Sequence, residues 1–252
     1  MLFKYIEKVN KLNSNIFKSK VNMKSAILPV QLTVIFLILF SGCVSAKKTI
    51  EGVSKNESTE WSNTFIVGTD KTDLPKVLLI GDSHVERYYP VVIENLKGKV
   101  YCSKFTTSRS FGDPNFIEQL DLVLKKFDFD VICINNGLHG EFYSIDEYKN
   151  YFPVVCDLIK KKSRKGIIWV NTTAFRKRNS LDEFHERNSQ VVMRNKVCLE
   201  FTTKNQIPLL DFYTASLNNK EYFTNDGIHF NETGVKVQAE MLCVEINKKL
   251  KK

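Results

Sequence analysis

Two short polar segments, far apart in the chain, carry residue types that together could perform nucleophilic catalysis. The first is Gly-Asp-Ser-His at positions 81–84, directly after an apolar run, and the second is Asp-Gly-Ile-His at positions 226–229. A serine hydroxyl becomes a good nucleophile when an imidazole, itself oriented by a carboxylate, takes its proton. The sequence therefore predicts Ser83 as a nucleophile, His229 as its base and Asp226 as the carboxylate that orients the base.

Strand and helix patterns alternate along the chain around these segments. Apolar runs predict five buried strands, at residues 77–80, 100–105, 131–134, 167–170 and 207–212. Helical spacing predicts helices over residues 85–96, 116–127, 145–162, 181–205 and 232–250. This alternation favours an α/β fold of three layers, α/β/α, with a five-stranded parallel sheet. Ser83 would lie at the carboxyl edge of that sheet, where such proteins place their chemistry.

The order and placement of the two segments resemble the first and last motif blocks of the SGNH/GDSL hydrolases. A strand followed by Gly-Asp-Ser opens the similar region and Asp-x-x-His closes it, so that the resemblance covers roughly residues 76–249. It implies the flavodoxin-like SGNH hydrolase fold and an esterase or acyl hydrolase that forms an acyl-enzyme on Ser83. It implies no cofactor, organic or metal. The substrate would be an acylated small molecule, an acetylated glycan or a lipid ester.

The middle motif blocks differ more from this family. Gly112 is the candidate for the second block, although a glycine in a loop is also common turn chemistry. In the third block, Gly137 matches the family's glycine, but His139 stands where the family has an asparagine that donates to the oxyanion. Three possibilities for that donor stay open: the Asn136 side chain, the His139 ring, or backbone N–H groups alone.

Other functions fit parts of the pattern. An O-acyltransferase could use the same acyl-enzyme, and a surface lipoprotein that binds glycans on an inactive hydrolase scaffold would explain the missing asparagine. Asp82 and His84 also form an Asp-x-His pair, which resembles the first motif of metallophosphoesterases. That family needs several further metal ligands, and the sequence lacks its other motifs. A hydrolase without a metal is therefore the favoured interpretation.

The N-terminal region predicts export. Residues 26–40 are uncharged and mostly apolar, and this length is typical of a signal peptide. The segment Ser-Gly-Cys that follows resembles a bacterial lipobox, which makes Cys43 the lipidation candidate, with Phe40 as a departure from the usual leucine. The alternatives are cleavage after Ala46 or an uncleaved anchor. The predicted organisation is an extension and signal over residues 1–43, a polar tether over 44–75 and the hydrolase domain over 76–252.

Charge and cysteine content exclude two further classes of protein. The formal charge is +9, but residues 1–42 contain six lysines and one glutamate, so much of this charge belongs to the extension and signal. No basic stripe interleaved with aromatic residues is visible elsewhere, so we expect no nucleic-acid partner. The cysteines after Cys43 lie in predicted strands and helices without a Cys-x-x-Cys pair, which indicates buried apolar residues and not a disulfide framework or a zinc site.

Overall fold

The computed structural model describes residues 52–251, and the predicted signal, Cys43 and the first part of the predicted tether lie outside these residues. Within this range, none of the helices has the length and apolar character that a membrane crossing requires. All five cysteines of the range are free and buried, as the sequence predicted.

A six-stranded sheet forms the centre of the described domain. Its order is β1-β3-β2-β4-β5-β8, and all neighbours are parallel except β1, which runs antiparallel to β3. A separate antiparallel hairpin contains β6 and β7. The strands are β1 (Ser62–Phe65), β2 (Lys76–Gly81), β3 (Tyr101–Thr107), β4 (Phe129–Asn135), β5 (Ser163–Val170), β6 (Arg176–Lys177), β7 (Ser180–Phe184) and β8 (Leu209–Leu210).

Helices cover both faces of this sheet. One face packs against α1 and α6, and the other packs against α2, α3 and α4, each with its own apolar core cluster. The helices are α1 (Ser83–Asn95), α2 (Pro114–Lys126), α3 (Ile145–Lys160), α4 (Asn188–Lys204), α5 (Phe212–Leu217) and α6 (Glu232–Leu250). The three-layer α/β/α prediction is confirmed, and the order β3-β2-β4-β5-β8 of the five parallel strands is the flavodoxin-like order.

Two predicted elements are wrong at their boundaries. The helix predicted over residues 181–205 begins only at Asn188, because the preceding residues form the β6–β7 hairpin, in which Arg176 pairs with Phe184. The strand predicted over 207–212 shrinks to β8, because Asp211 caps α5 by accepting a hydrogen bond from the Thr214 backbone N–H. In the first place strand pairing replaces the start of the predicted helix, and in the second a polar cap ends the predicted strand.

The described part of the predicted tether, residues 52–75, packs on the domain. Strand β1 pairs with the edge of β3 in register from Ser62 opposite Thr107 to Phe65 opposite Lys104. The Val67 N–H donates to Ser103 Oγ at 3.1 Å. An edge strand presents unpaired backbone groups, and a polar segment can satisfy them without any apolar pattern of its own. This part of the predicted tether therefore packs against the edge strand β3.

Candidate active site

Ser83 lies at the carboxyl edge of the parallel sheet, as the sequence predicted. Strand β2 ends at Gly81, Asp82 is the N-cap of α1, and Ser83 is the first residue of that helix. The Asp82 side chain accepts from the His84 N–H at 2.9 Å, which fixes the first turn. Backbone N–H groups in the first turn of a helix have no partner within the helix. The Ser83 N–H is thus a candidate donor beside its own hydroxyl.

The loop of Asp226 to His229 is built to hold an imidazole. Asp226 Oδ1 accepts from the backbone N–H groups of Ile228 and His229, each at 2.9 Å. Gly227 has a φ of +76°, and a Cβ there would lie 2.3 Å from the Arg176 carbonyl oxygen, so glycine is required on both counts. The three-residue spacing that the sequence singled out is therefore a tight turn closed by the carboxylate itself.

The structure brings the three predicted residues into one hydrogen-bonded chain. Ser83 Oγ lies 2.9 Å from His229 Nε2, and His229 Nδ1 lies 2.7 Å from Asp226 Oδ2. Because an ionised carboxylate only accepts, Nδ1 carries the ring proton and neutral Nε2 is left to accept from the serine. This arrangement can withdraw the hydroxyl proton of Ser83 as the oxygen attacks an electrophile.

The environment keeps Asp226 ionised. Burial alone would raise the pKa of its carboxyl. The hydrogen bonds from the His229 ring, from the backbone N–H groups of Ile228 and His229 and from Thr224 Oγ1 outweigh burial and hold this pKa well below its usual value. The carboxylate is therefore charged wherever His229 is neutral, and it can stabilise the imidazolium that proton transfer creates.

A cavity of about 140 Å³ adjoins this chain, and we call it the site cavity. Its apolar lining comes from Leu138, Phe175 and Ile228, and its polar lining from Glu57, Ser83, His139, Arg187 and His229. The sequence predicted three of these polar residues. Glu57 and Arg187 were not predicted, because neither belongs to a motif or to a strand end.

His139 and Glu57 form a second imidazole–carboxylate pair in this cavity. Glu57 Oε2 lies 3.0 Å from His139 Nδ1, and Glu57 Oε1 accepts from the Gly140 N–H at 2.7 Å. Trp61 packs edge-on against the His139 ring, with 6.2 Å between ring centroids. The His139 ring, one of the three possible oxyanion donors, therefore lies beside Ser83 in the same cavity.

The other two residues that the sequence singled out in the middle motif blocks, Asn136 and Gly112, lie differently. The Asn136 amide bridges the loop after β3, because Oδ1 accepts from the Phe111 N–H at 3.1 Å and Nδ2 donates to the Arg109 carbonyl at 2.9 Å. Gly112 packs on the Tyr143 ring, where a Cβ would lie 2.5 Å from a ring carbon. Neither residue lines the site cavity. The Asn136 side chain therefore packs the loop and is not retained as an oxyanion donor, whereas a role of the Gly112 backbone stays a prediction.

The pair Asp82 and His84 does not present two ligands to one site. The Asp82 carboxylate caps α1, and the His84 ring is buried, with Nε2 3.4 Å from Thr173 Oγ1 and its centroid 5.7 Å from that of His229. Burial lowers the pKa of His84 from 6.5 to about 4, although the Asp82 charge opposes this. His84 is therefore a neutral packing residue behind His229 at ordinary pH.

A buried arginine that the sequence analysis missed organises the loop of His139. Arg194 is 0% exposed, and its guanidinium donates to the carbonyl oxygens of Gly137, His139, Gly140 and Tyr143. It also lies over the Tyr148 ring, 4.9 Å from the centroid. Its position in the middle of α4 carries no sequence signal, because a surface arginine is the usual expectation there.

Comparison with solved structures supports this fold, whereas comparison with known sequences finds no match. No protein-family model matches the chain, and no curated protein sequence matches it. The solved lipase/acylhydrolase from Enterococcus faecalis is similar with a TM-score of 0.56 and 16% identity, over 70% of this chain and 97% of that one.

Two further solved structures are similar to the same extent. A catalytic mutant of an acetylxylan esterase from Geobacillus stearothermophilus gives a TM-score of 0.55 at 15% identity, over 68% of this chain and 94% of that one. A GDSL-like lipase from Bacteroides thetaiotaomicron gives a TM-score of 0.53 at 16% identity, over 69% of this chain and 88% of that one. At such identities the likeness concerns the fold. The described domain has the fold of the SGNH/GDSL hydrolases.

Proposed function

We propose that this protein is a serine esterase that cleaves short O-acyl esters through an acyl-enzyme on Ser83. The observation that carries the proposal is the hydrogen-bonded chain from Ser83 through His229 to Asp226 at the edge of a cavity. Each member has the partner that its role requires, and the nucleophile is the first residue of a helix, where its own backbone N–H is a candidate donor to a developing negative charge.

The steps follow from this geometry. Ser83 Oγ attacks the ester carbonyl carbon while His229 Nε2 takes the hydroxyl proton, and the carbonyl electrons move to the oxygen. The tetrahedral intermediate collapses as the imidazolium returns the proton to the leaving alcohol. Water then attacks the acyl-enzyme, with His229 again as the base, and releases the carboxylic acid and free Ser83. Asp226 keeps the ring oriented and offsets its positive charge in both halves.

The site cavity favours a short acyl group. Cavities that enclose a drug-sized ligand measure roughly 300–1,000 Å³, whereas this one measures about 140 Å³. The apolar side chains of Leu138, Phe175 and Ile228 suit a methyl or ethyl group, and a long fatty chain would exceed the space. An acetylated glycan or small molecule is therefore preferred over a long-chain lipid ester as the substrate.

A serine-reactive fluorophosphonate and p-nitrophenyl esters of increasing acyl length test the proposal. Wild-type protein should be labelled at Ser83 and should hydrolyse the acetate with a higher kcat/KM than the octanoate. Ser83→Ala should lose labelling and roughly 10⁴-fold or more in kcat, since no other group supplies the nucleophile. Ser180→Ala, in the β6–β7 hairpin, is the matched control and should retain both. A folded Ser83→Ala variant with wild-type turnover would refute the mechanism.

For localisation, we propose export with Cys43 as a lipidated N-terminus that anchors the domain to the membrane. The apolar run over residues 26–40 and the Ser-Gly-Cys segment support this proposal. An anchored esterase would meet acylated glycans or small molecules at the cell envelope.

A further inference from the structure

A segment that precedes the sheet contributes a side chain to the site cavity. We call residues 54–61 the strap, because polar bonds hold it on the domain along its length. The contacts, in chain order, join Ser54 to Asp113, Lys55 to Tyr143 and Glu147, and Glu60 to Ser108. Between these contacts, Glu57 reaches the cavity that also contains Ser83. The strap is thus attached on both sides of Glu57.

The strap sets the orientation of the His139 ring. Glu57 accepts from the Gly140 N–H at 2.7 Å and lies 3.0 Å from His139 Nδ1, so both of its oxygens are engaged on the same loop. Because the carboxylate can only accept, Nδ1 must carry a proton. Nε2 is then the ring nitrogen that no described residue of the chain engages, and the ring lines the cavity beside Ser83 and His229.

The charges around His139 favour the protonated ring. Burial alone would lower the pKa of His139, and Arg187 at the start of α4 acts in the same direction. The bond to Glu57 and the negative charges of Glu57 and Asp82 outweigh both and raise this pKa above its usual value. The pKa of Glu57 moves the opposite way: burial would raise it, but the bonds from His139 and Gly140 lower it.

We propose that Glu57 is a positioning residue that holds His139 as an imidazolium, whose Nε2–H donates to the oxyanion formed on the substrate of Ser83. This inference rests on the proposed function. A neutral ring with Nδ1–H directed at Glu57 has only a lone pair on Nε2 and would repel that oxygen. The imidazolium instead supplies both a donor and a positive charge where negative charge develops.

Two histidines of one cavity would then act in opposite protonation states. His229 must be neutral to accept the serine proton, whereas His139 must be charged to donate. His84, the remaining histidine nearby, is buried and neutral at ordinary pH, and Asp82 and Arg187 are the other charged groups that shift the pKa of His139. The rate should therefore fall at high pH as His139 loses its proton.

The experiment compares pH profiles of kcat and kcat/KM for wild type, Glu57→Gln, His139→Asn and the double variant. Glu57→Gln should lower kcat at least tenfold at pH 8 with a small change in KM, and it should move the alkaline limb to lower pH. His139→Asn donates through an amide that does not titrate, so the alkaline limb should disappear. In that background, Glu57→Gln should change kcat less than about twofold, because Glu57 acts through the imidazole.

Glu60→Gln is the matched control, with the same chemical change three residues away on the strap, where its amide oxygen can still accept from the Glu57 N–H. It should keep the wild-type profile. If His139→Asn is inactive, NMR titrations of the His139 ring in isotope-labelled wild type and Glu57→Gln replace it. The ring should lose its proton at lower pH in Glu57→Gln than in wild type. An unchanged titration overturns the proposal.

Three outcomes separate this inference from the proposed function. An unchanged pH profile of Glu57→Gln, with Ser83 still labelled by fluorophosphonate, overturns the inference alone. A loss of kcat from Glu57→Gln that is equally large in wild type and in the His139→Asn background also overturns the inference alone, because Glu57 would then not act through His139. Wild-type turnover by Ser83→Ala overturns both.

Discussion

Substitution of His84 should remove a defined part of the acid sensitivity of this protein. The ring is 6% exposed, Nδ1 has no hydrogen-bond partner among the described residues, and Nε2 has only a long contact with Thr173. Burial lowers the pKa of His84 from its usual 6.5 to about 4. Between these two pH values the unfolded chain binds a proton that the folded chain excludes. The contribution of neutral His84 to the free energy of unfolding is therefore fully present above pH 6.5 and is lost as the pH drops towards 4.

The magnitude follows from the two pKa values. At pH 4.5 the unfolded state gains roughly 2 to 3 kcal/mol from protonation of this residue, and at pH 7 almost nothing. His84→Gln has no titrating ring, and it keeps the backbone N–H that caps against Asp82. The substitution has a packing cost of its own, which is the same at both pH values and cancels when each variant is compared with itself.

Urea unfolding at pH 7.0 and pH 4.5 measures the effect. Wild-type protein should lose about 2 to 3 kcal/mol more between these pH values than His84→Gln loses. Carboxylates that titrate in the same range contribute equally to both proteins and drop out of the difference. Equal losses in the two proteins would show that the folded state protonates His84 without penalty, and would refute the burial argument.

Arg194→Met should destabilise the domain by about 3 kcal/mol in urea unfolding, because it leaves several buried carbonyl oxygens of the His139 loop without a donor. Arg164→Met is the control: it removes only a surface ion pair with Asp130 and should change stability by about 0.5 kcal/mol or less. An equal loss of stability in the two variants would contradict the role assigned to Arg194. Cys43→Ser should abolish palmitate incorporation, as read by metabolic labelling and intact mass. An unmodified mature wild-type chain that starts at Met1 or after Ala46 would contradict lipidation.

The five parallel strands of the sheet and the nucleophile's place on them follow from local sequence alone, whereas the antiparallel β1 was not predicted. The run over residues 77–80 is apolar without alternation, which in a strand means burial on both faces, and Gly-Asp-Ser after it is a strand end followed by a helix cap. The turn of Asp226 to His229 is also local, because the carboxylate bonds to the backbone two and three residues ahead. Such features depend on neighbours in the chain, and periodicity and spacing report them.

The side chains that meet His139, and the way its loop is held, became visible only in the folded chain. Glu57 lies 82 positions before His139 in the chain, in a polar segment without periodicity that the sequence predicted as a tether. Arg194 lies 55 positions after His139 and reads as an ordinary helix residue. Asn136 was a candidate donor until the structure placed its amide against Arg109 and Phe111. Hydrogen bonds between distant polar residues have no repeat in the sequence, because their geometry exists only after the apolar layers have packed.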